Sequence, residues 1–472
     1  MQKTVAEQLA TEAKELTFAE LPLEVVRQAK RSVLDTVGVS FGGYLSEPSQ
    51  IIQSLIQELN GPAESTVFGS GVKTSCLYAA LANGVMARYL DYTDRSFLTK
   101  EARKSSHTGH NGESIPPILA VGERQHSTGQ EVITSVVLAY EFLNKICDSI
   151  GGYDAVLDRR GWAHESMRTP CIIALVAGRL LGLNEQQMAN ALGVAGSFSQ
   201  VLGIVNSSEE ELTMARNLKF SYGAYHGILG ALLAQKGFKG PLNVFEGHHG
   251  IGEVVAGGEM DFEKLRQPRK DWTILYTWIK NFAADGYAQG HLEATLRLVK
   301  EHDIRAEDVA EVRIRISPHA YRITANPETR RHPKTTYTAD HSSYYATAVA
   351  ILDRAAGPEQ FSDEKLRDPR VQELSDKVFV EADPKLSDEV VSTGQAIVEI
   401  ITKEGKKYHC EVLRPKGHPM NPMTDGDVEE KFRSMASKFM DEKQMRQIID
   451  TVYNLEKLDD IGELVKLLVA AQ

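Results

Sequence analysis

A polar loop rich in ionisable side chains separates two apolar segments in the first quarter of the chain. The loop lies in "YLDYTDRSFLTKEARKSSHTGHNGESIPPILAVGE", residues 89–123, and carries Asp91, Asp94, Arg95, His107 and His110. Aspartate and histidine hold or transfer protons, and arginine binds carboxylates through its planar fork. The HxxH spacing also suits a metal, but no HExxH helix or third ligand accompanies it. Proton transfer by a loop histidine is therefore favoured over metal binding, and a well-solvated loop is the alternative.

Further candidates are spread over four later segments. Removing a proton beside a carboxylate builds up negative charge, so such a reaction needs a base, an acid and fixed cations. The residue types that could meet these needs are His164, Arg216, Lys280, Tyr287, His291 and Tyr321.

Each of these candidates also has a simpler interpretation. His164 equally suits a helix cap. Arg216 precedes an apolar helix, where a cation opposes the helix dipole, so either an anionic ligand or a salt bridge would account for it. Tyr321 follows a predicted strand, where a tyrosine commonly covers the core edge. Together the groups favour metal-free proton transfer on a carboxylate-rich substrate.

Composition and missing motifs exclude several classes. The net charge of -11 disfavours nucleic acid and anionic membranes as partners. No GxSxG, P-loop, post-strand GxGxxG or kinase motif occurs, so nucleotide and serine-hydrolase chemistry is not indicated. The four cysteines include no CxxC pair, which argues against structural zinc or an iron–sulfur cluster. Scattered cysteines of this kind are typical of a reducing compartment. With no signal peptide and no membrane-length apolar window, the expected location is cytoplasmic and the expected cofactor set is empty.

The elements that would position these groups are mostly helices. "CLYAALANGVMARYLDY" is apolar nearly all round and predicts a buried helix whose apolar pattern stops at Leu90, just before Asp91. Thr128 with Glu131 and Asn184 with Gln187 predict two capping boxes. "DVAEVRIRISPHAYRI" predicts a strand, and "QAIVEIITKEGKKYHCEVLRP" a hairpin turning at residues 404–406. The prediction is a mainly α protein: a helical domain over 1–270, an inserted α+β domain over 271–415, and helices of 416–472 returning to the first domain.

Six stretches resemble the MmgE/PrpD family, which comprises 2-methylcitrate dehydratase, cis-aconitate decarboxylase and iminodisuccinate epimerase. They are "AKRSVLDTVGVSFGG", "ARYLDYTD", "HNGESIPPILAVGE", "GALLAQKGFKGP", "KNFAADGYAQGHLEA" and "GHPMNPMTDGDVEEKF". They occur in the family's order over nearly the whole chain. The resemblance implies a large helical domain with an α+β lid, a homodimer, and catalysis without metal or organic cofactor.

The resemblance also implies roles for individual residues. It assigns catalysis to Asp91, His110, His164 and Tyr321. Substrate binding would involve Arg95, Arg216, Lys280, Tyr287 and His291. Several positions depart from the family pattern. Arg216 stands where lysine is usual, and Arg95 where a small hydroxyl residue is common. Phe282-Ala283 replaces a Tyr-Pro pair, Tyr287 stands where a histidine is usual, and His291 lies one turn further along.

The expected function is a metal-independent lyase acting on a di- or tricarboxylic acid, with a 2-methylcitrate dehydratase-like hydro-lyase as the first choice. A cis-aconitate decarboxylase-like carboxy-lyase and an epimerase of a dicarboxylate are the enzymatic alternatives. An inactive family member that binds carboxylates is the non-enzymatic alternative. The sequence leaves open which histidine is the acid and which the base.

Overall fold

The chain is mainly α-helical, as its sequence predicts. The computed structural model describes residues 2–98, 109–152, 156, 160–163, 165–198, 201–268, 271–326, 328–386 and 394–470. His107 and His164 lie outside the described residues. Among the residues described, no helix combines the length and apolar character that crossing a bilayer requires.

The helices of the first 270 residues include most of the long ones. They are α1 Val5–Glu15, α2 Leu23–Gly43, α3 Glu47–Leu59, α4 Cys76–Arg88, α5 Ile115–Gln125, α6 Gly129–Ser149, α7 Glu165–Leu180, α8 Glu185–Ser197, α9 Leu218–Gln235, α10 Ile251–Val254 and α11 Phe262–Arg266.

The later helices are shorter on average. They are α12 Gln289–Glu301, α13 Pro318–Thr324, α14 Glu328–Arg331, α15 Thr336–Ala339, α16 Ser343–Asp353, α17 Asp363–Leu366, α18 Pro369–Ser375, α19 Asp425–Ala436, α20 Glu442–Tyr453 and α21 Gly462–Leu467.

The strands form one larger sheet and two short pairs. They are β1 Ser65–Thr66, β2 Lys73–Thr74, β3 Arg95–Ser96, β4 Thr277–Trp278, β5 Val309–Ile316, β6 Val378–Ala382, β7 Ala396–Thr402 and β8 Lys407–Val412. The larger sheet has the order β6-β5-β7-β8, with β5 parallel to β6 and the other pairs antiparallel. The β3–β4 pair joins Arg95 to Trp278 across a long sequence separation.

Two large groups of buried apolar side chains make up most of the core. The first draws on residues 5–279 and again on residues 423–468. The second draws mainly on residues 282–412, where α12 and α16 cover the sheet, and also includes Leu90 and Tyr92 at the end of the α4 segment. The polar residues after α4 therefore lie where the two groups meet.

Several local predictions are confirmed. The Asn184–Gln187 capping box is present in both directions. Thr128 accepts a hydrogen bond from the Glu131 amide, as predicted, but the Glu131 carboxylate forms an ion pair with Arg179, 3.1 Å away, in place of the return bond. The hairpin of β7 and β8 turns at residues 403–406, where Gly405 has a φ of 82°. The predicted strand "DVAEVRIRISPHAYRI" ends at Ile316, because Ser317 caps helix α13.

A close helix crossing sets the distance between two candidate segments. A Cβ added to Gly84 of α4 would lie 2.6 Å from the Cβ of Ser221 in α9, nearer than real side chains approach. Glycine at this position allows the two backbones to approach closely. Because Arg88 lies one turn after Gly84 and Arg216 one turn before Ser221, the crossing brings the polar ends of both segments to the same place.

Candidate active site

Asp91 lies just past the C-terminal end of α4 and is 1% exposed. Its φ of 46° is in the left-handed region, which aspartate tolerates better than most residues. The ammonium group of Lys280 donates a 2.5 Å hydrogen bond to the carbonyl oxygen of Asp91. The turn that carries the carboxylate is therefore tied directly to the second half of the chain.

Three cationic side chains surround the Asp91 carboxylate. Arg88 Nη1 is 2.6 Å from Oδ1 and Lys280 Nζ is 3.3 Å from Oδ2. Arg216 Nη2 is 3.9 Å from Oδ1. Burial acts to raise the pKa of Asp91, but Arg88 and Lys280, with smaller contributions from His341 and Arg216, outweigh it and hold the pKa well below its usual range. Asp91 is therefore an anion that organises cations.

His110 reaches this carboxylate from the loop before α5. Its Nδ1 lies 2.7 Å from the carbonyl oxygen of Asp94. Because a carbonyl only accepts, Nδ1 carries the proton, and Nε2, 3.7 Å from Asp91 Oδ1, is the nitrogen that can take up another. Burial, reinforced by Lys280 and Arg88, lowers the pKa of His110 well below its usual value. The ring is therefore neutral at physiological pH, with Nε2 unprotonated.

The side chain of Asp94 holds the His110 loop in place. Its Oδ1 accepts a 2.9 Å hydrogen bond from the Gly112 amide, and its Oδ2 accepts a 2.7 Å bond from the Tyr140 hydroxyl. A Cβ on Gly112 would lie 2.7 Å from Thr36 Oγ1, so glycine allows this close approach. Burial raises the pKa of Asp94 to about 7, and the Tyr140 bond opposes that rise.

His341 is a central residue that sequence analysis missed. It precedes α16, and its Nε2 is 3.5 Å from both Asp91 Oδ2 and Asp285 Oδ2. Its Nδ1 forms a hydrogen bond with the neighbouring Asp340 carboxylate. Burial and the nearby Arg216 lower the pKa of His341 well below its usual value. A charged Asp-His pair directly before the apolar run "SSYYATAVAIL" was the available signal, the same signal that singled out Arg216.

Arg216 joins the cluster from the 3-10 turn before α9. Its Nη1 and Nη2 lie 3.1 and 2.8 Å from the two ring nitrogens of His341, so the guanidinium runs along the imidazole. Its Nη1 is also 3.7 Å from Asp340 Oδ1. Arg216 and Lys280, which are far from Asp91 in the sequence, therefore both lie close to its carboxylate.

Arg95 and Tyr287 form a second contact beside the cluster. The Arg95 guanidinium carbon lies 4.4 Å from the centre of the Tyr287 ring, within cation–π distance. The Tyr287 hydroxyl is 2.8 Å from Nε2 of His319 in α13. Asp285 links the two groups, since it accepts a 2.8 Å bond from the Tyr287 amide and faces His341. His319 and Asp285 were not singled out from sequence.

His291 and Tyr321 lie among other residues. His291 is fully buried in α12, with Nδ1 3.2 Å from Thr347 Oγ1 of α16, and burial lowers its pKa to about 3. Tyr321, in α13, is partly buried against the second hydrophobic group. The contacts described for these two side chains are thus with residues that pack around the larger sheet.

Further buried charges lie beside the cluster, and of these Glu113, Glu165 and Arg168 were not singled out from sequence. Glu113 Oε1 lies 3.1 Å from Arg88 Nη1. Lys219 Nζ and Arg168 Nη2 lie 3.2 and 3.5 Å from Glu165 Oε1. Burial lowers the pKa of Lys219 to about 8. Each of these groups sits on a helix or at its end, and only the packing of α4, α5, α7 and α9 brings them together.

Three donors of the cluster have the spacing of a metal site. One donor atom from each of Asp91, Asp285 and His341 lies within 4.8 Å of the others. Arg88, Lys280 and Arg216 already surround the same carboxylate, so a divalent cation placed there would be repelled by three neighbouring positive charges. The donor set therefore suits guanidinium and ammonium groups better than a metal ion.

The geometry defines a buried, cation-rich polar site at the junction of two hydrophobic groups. Sequence models of the MmgE/PrpD N-terminal domain and the MmgE/PrpD C-terminal domain match residues 7–263 and 282–456, respectively. The chain belongs to the MmgE/PrpD family.

Curated relatives are similar over nearly their whole length at low identity. Cis-aconitate decarboxylase of Aspergillus terreus is 26% identical, covering 97% of this chain and 94% of the relative. The human cis-aconitate decarboxylase is 25% identical, covering 99% and 95%. The 2-methylcitrate dehydratase of Salmonella typhimurium is 22% identical, covering 91% and 89%. Both named activities belong to lyases of carboxylic acids.

Replacing Tyr140 with phenylalanine tests how the His110 loop is held. The change removes the hydroxyl that Asp94 Oδ2 accepts from, so we expect turnover to fall roughly 10-fold and stability by about 1–3 kcal/mol. Tyr345→Phe is the matched control, because the Tyr345 hydroxyl bonds the Gln360 carbonyl at 2.8 Å, away from the cluster. Steady-state kinetics and thermal unfolding of both variants make the comparison. Equal turnover in the two variants at equal stability would show that Tyr140 does not position His110.

The pKa of Lys280 predicts an alkaline limit to substrate binding. Burial lowers this pKa to about 8, although Asp91 and Asp285 oppose the shift. The cationic form is present below that value and is lost as pH rises through it, so we expect KM to rise above pH about 8. The stability of the ligand-free protein changes in the opposite direction. It rises with pH between about 8 and the usual lysine pKa, because the unfolded state binds more protons in that range.

The variant Lys280→Arg keeps its charge over this pH range and should move the rise in KM to higher pH. Lys219→Arg is the control, because Lys219 has a similarly lowered pKa of about 8. KM measured as a function of pH distinguishes them. If K219R abolishes the rise in KM and K280R retains it, the titrating group is Lys219, and the prediction for Lys280 is wrong.

Proposed function

We propose that the protein is a metal-independent hydro-lyase that removes water from a di- or tricarboxylic acid, in the manner of a 2-methylcitrate dehydratase. The observation that carries this proposal is the pair of neutral imidazoles on the two sides of one buried carboxylate. His110 Nε2 lies 3.7 Å from Asp91 Oδ1, and His341 Nε2 lies 3.5 Å from Asp91 Oδ2. Elimination of water needs a base at carbon and an acid at the leaving oxygen.

His110 serves as the base in this proposal. Its Nε2 takes the proton from the carbon next to a carboxylate, and the electrons move toward that carboxylate. Arg216 and Lys280 stabilise the negative charge that develops there. Asp91 keeps both cations in position and is not itself the proton acceptor, because those cations hold its pKa well below neutrality.

The Asp340–His341 pair supplies the proton for the leaving hydroxyl. Burial raises the pKa of Asp340 well above its usual value, which favours a proton held between Asp340 and His341. As the carbon–oxygen bond breaks, the hydroxyl takes this proton and leaves as water. The product is an unsaturated acid. Transfer of the proton from His110 to the Asp340–His341 pair then restores both groups for the next turnover. The resemblance also assigns roles to His164 and Tyr321, which stay proposals.

Two enzymatic alternatives rest on separate observations. The relatives from Aspergillus terreus and human are cis-aconitate decarboxylases, which favours a carboxy-lyase. Decarboxylation needs a proton donor to the carbon, which the Asp340–His341 pair could supply, and in this alternative His110 would have no proton to remove. Two imidazoles flanking one carboxylate also suit an epimerase with a base on each face. Retention of this polar cluster is less expected in an inactive carboxylate-binding protein.

Proton NMR in deuterated water distinguishes these reactions. Chelator-treated protein is incubated with a panel of hydroxy-polycarboxylates that includes 2-methylcitrate, and with cis-aconitate. We expect formation of an unsaturated acid without added metal. Loss of carbon dioxide from cis-aconitate would instead establish the carboxy-lyase, and deuterium exchange with inversion alone would establish the epimerase. Binding without any change in the ligand would leave the non-enzymatic alternative.

Replacing His110 with glutamine tests the assigned base. We expect turnover to fall by about 100-fold or more, with substrate binding retained, because a general base contributes roughly 10²–10⁴-fold. His126→Gln is the control, since His126 is exposed and pairs with Asp460 at 2.8 Å on the surface. His164→Gln tests the role implied by the resemblance. Full activity of the His110 variant would refute the mechanism.

We also propose that residues 271–415 form a lid domain over a helical domain of 1–270 and 416–472. The grouping of the apolar core supports this division, because residues 423–468 pack with the first group and residues 282–412 form the second. The β3–β4 pair and the contacts of Lys280 with Asp91 lie where the two would meet. Hydrogen exchange that shows residues 282–412 opening independently of the helices would support the division.

A homodimer is the proposed assembly. Leu202, Ile204 and Met214 lie in or next to two 3-10 turns, Gly203–Asn206 and Met214–Asn217, that contact each other, and they are 62%, 65% and 36% exposed. Exposed apolar side chains in one region commonly mark a protein interface. We expect light scattering to give twice the chain mass, and Ile204→Asp to give the monomer. A wild-type monomer at micromolar concentration would contradict the proposal.

The reduced thiols of Cys76, Cys147, Cys171 and Cys410 support a cytoplasmic location.

A further inference from the structure

Two adjacent histidines lie on an exposed loop that the proposed reaction does not use. His248 and His249 come just before the short helix α10, and both side chains are exposed. Their ring centres are 3.7 Å apart, and the ring planes are tilted by 56°. Successive side chains of an extended segment point to opposite sides. Here the φ of 60° at His249 places its backbone in the left-handed region, where the chain turns sharply.

The loop that carries the two histidines is anchored on both sides. The Ile251 amide donates a 2.8 Å hydrogen bond to the Val244 carbonyl, and the Gly252 amide donates a 2.9 Å bond to the Phe245 carbonyl. Val244, Phe245 and Ile251 are buried in the first hydrophobic group. The histidine side chains therefore extend into solvent from a backbone that is held in place before and after them.

A carboxylate completes this group of side chains. Glu253 of α10 is exposed, and its Oε2 accepts a 2.6 Å hydrogen bond from the His249 amide. That bond lowers the pKa of Glu253; desolvation opposes the shift, and the imidazoles of His248 and His249 add to it. One donor atom from each of the three side chains lies within 4.8 Å of the others. Two imidazole nitrogens and one carboxylate oxygen thus converge on the same small region.

The surroundings of these donors differ from those of the polar cluster around Asp91. A pocket of about 310 Å³ adjoins the two histidines, and uncharged residues such as Trp162, Ser197 and Asn243 line the rest of it. A divalent cation at the polar cluster would meet three positive side chains. Beside the histidines it would meet one carboxylate and two imidazoles, with no lysine or arginine among the residues that line the pocket.

The chemistry of the donors selects one class of ion. Two histidines with a glutamate are a ligand set that zinc uses where a fourth coordination position stays open. Magnesium and calcium prefer sites made of oxygen ligands alone. Because the three side chains are exposed, small rotations can bring their donor atoms to the distance of about 2.0–2.2 Å that zinc requires.

We propose that His248, His249 and Glu253 bind one divalent transition-metal ion, with zinc as the ion of first choice. The adjoining pocket leaves room for a water molecule or a small ligand at the fourth position. The ion joins the loop to α10 and stabilises the left-handed turn at His249. It shares no ligand with the polar cluster, so its role is structural and separate from the proposed reaction.

Titration calorimetry with zinc chloride on the chelator-treated, full-length protein tests the site. We expect saturable binding of one ion per chain. His249→Gln and Glu253→Gln should each weaken this binding about 10-fold or more, because each removes one of three ligands. Magnesium chloride at the same concentrations should not bind there, since the site has only one oxygen ligand among its side chains.

His332→Gln is the matched control. His332 is also an exposed histidine next to a carboxylate, with Nε2 3.8 Å from Asp376 Oδ1, but this pair offers two donors instead of three. We expect H332Q to bind zinc within about 2-fold of the wild type. Thermal unfolding gives a second readout, because an ion that binds only the folded state stabilises it. Zinc should raise the unfolding temperature of the wild type and H332Q but not that of H249Q.

Three results would overturn the proposal. Zinc binding by H248Q, H249Q and E253Q that equals wild-type binding would refute the site. Binding that is lost in His341→Gln and retained in H249Q would place the ion at the polar cluster instead. Weak binding of several ions that none of these variants changes would show adventitious binding only. Turnover of H249Q should stay within about 2-fold of the wild type, because its side chain lies outside the proposed active site.

Discussion

The buried carboxylate of Asp91 is the interaction on which the polar centre of this protein depends. Arg88, Lys280 and Arg216 come from three distant parts of the sequence and approach the same two oxygens. Each cation would be costly to bury alone, and a carboxylate surrounded by them offsets much of that cost. Removing Asp91 would leave several uncompensated charges in the interior, so its role is structural as well as electrostatic.

The same charges determine the protonation of the neighbouring imidazoles. His110 and His341 both face Asp91, which favours their charged forms, but burial and the nearby cations act more strongly and keep both neutral. A neutral imidazole is ready to accept a proton, whereas an imidazolium pair would repel the cations that bind a substrate. The positive side chains therefore serve two purposes: they help to keep both imidazoles neutral, and they attract anionic carboxylates toward a protein whose net charge is -11.

Precise placement comes from the backbone around the site. Asp94 holds the His110 loop through its own carbonyl oxygen and through the Gly112 amide, and Tyr140 of α6 anchors its carboxylate. The crossing of α4 and α9 at Gly84 and Ser221 fixes how far Asp91 lies from Arg216. These contacts all lie within the first half of the chain, whereas Lys280 and His341 approach from its second half. The site is therefore complete only when both parts of the chain are in place.

The sequence alone determined the mainly helical class, the buried helix before Asp91, the caps, the hairpin and the family. Those features depend on residue periodicity and on short-range hydrogen bonds, which are visible in a single chain. It also identified Asp91, His110, Arg216 and Lys280 as candidates, because polar residues next to apolar helices are conspicuous. The tertiary structure decided which candidates meet.

It brought in Asp340 and His341, which look like ordinary capping residues in sequence, and it placed His291 against Thr347. The physical reason is that ion pairing and pKa depend on distance and burial in three dimensions, and the packing of helices, strands and loops together sets both.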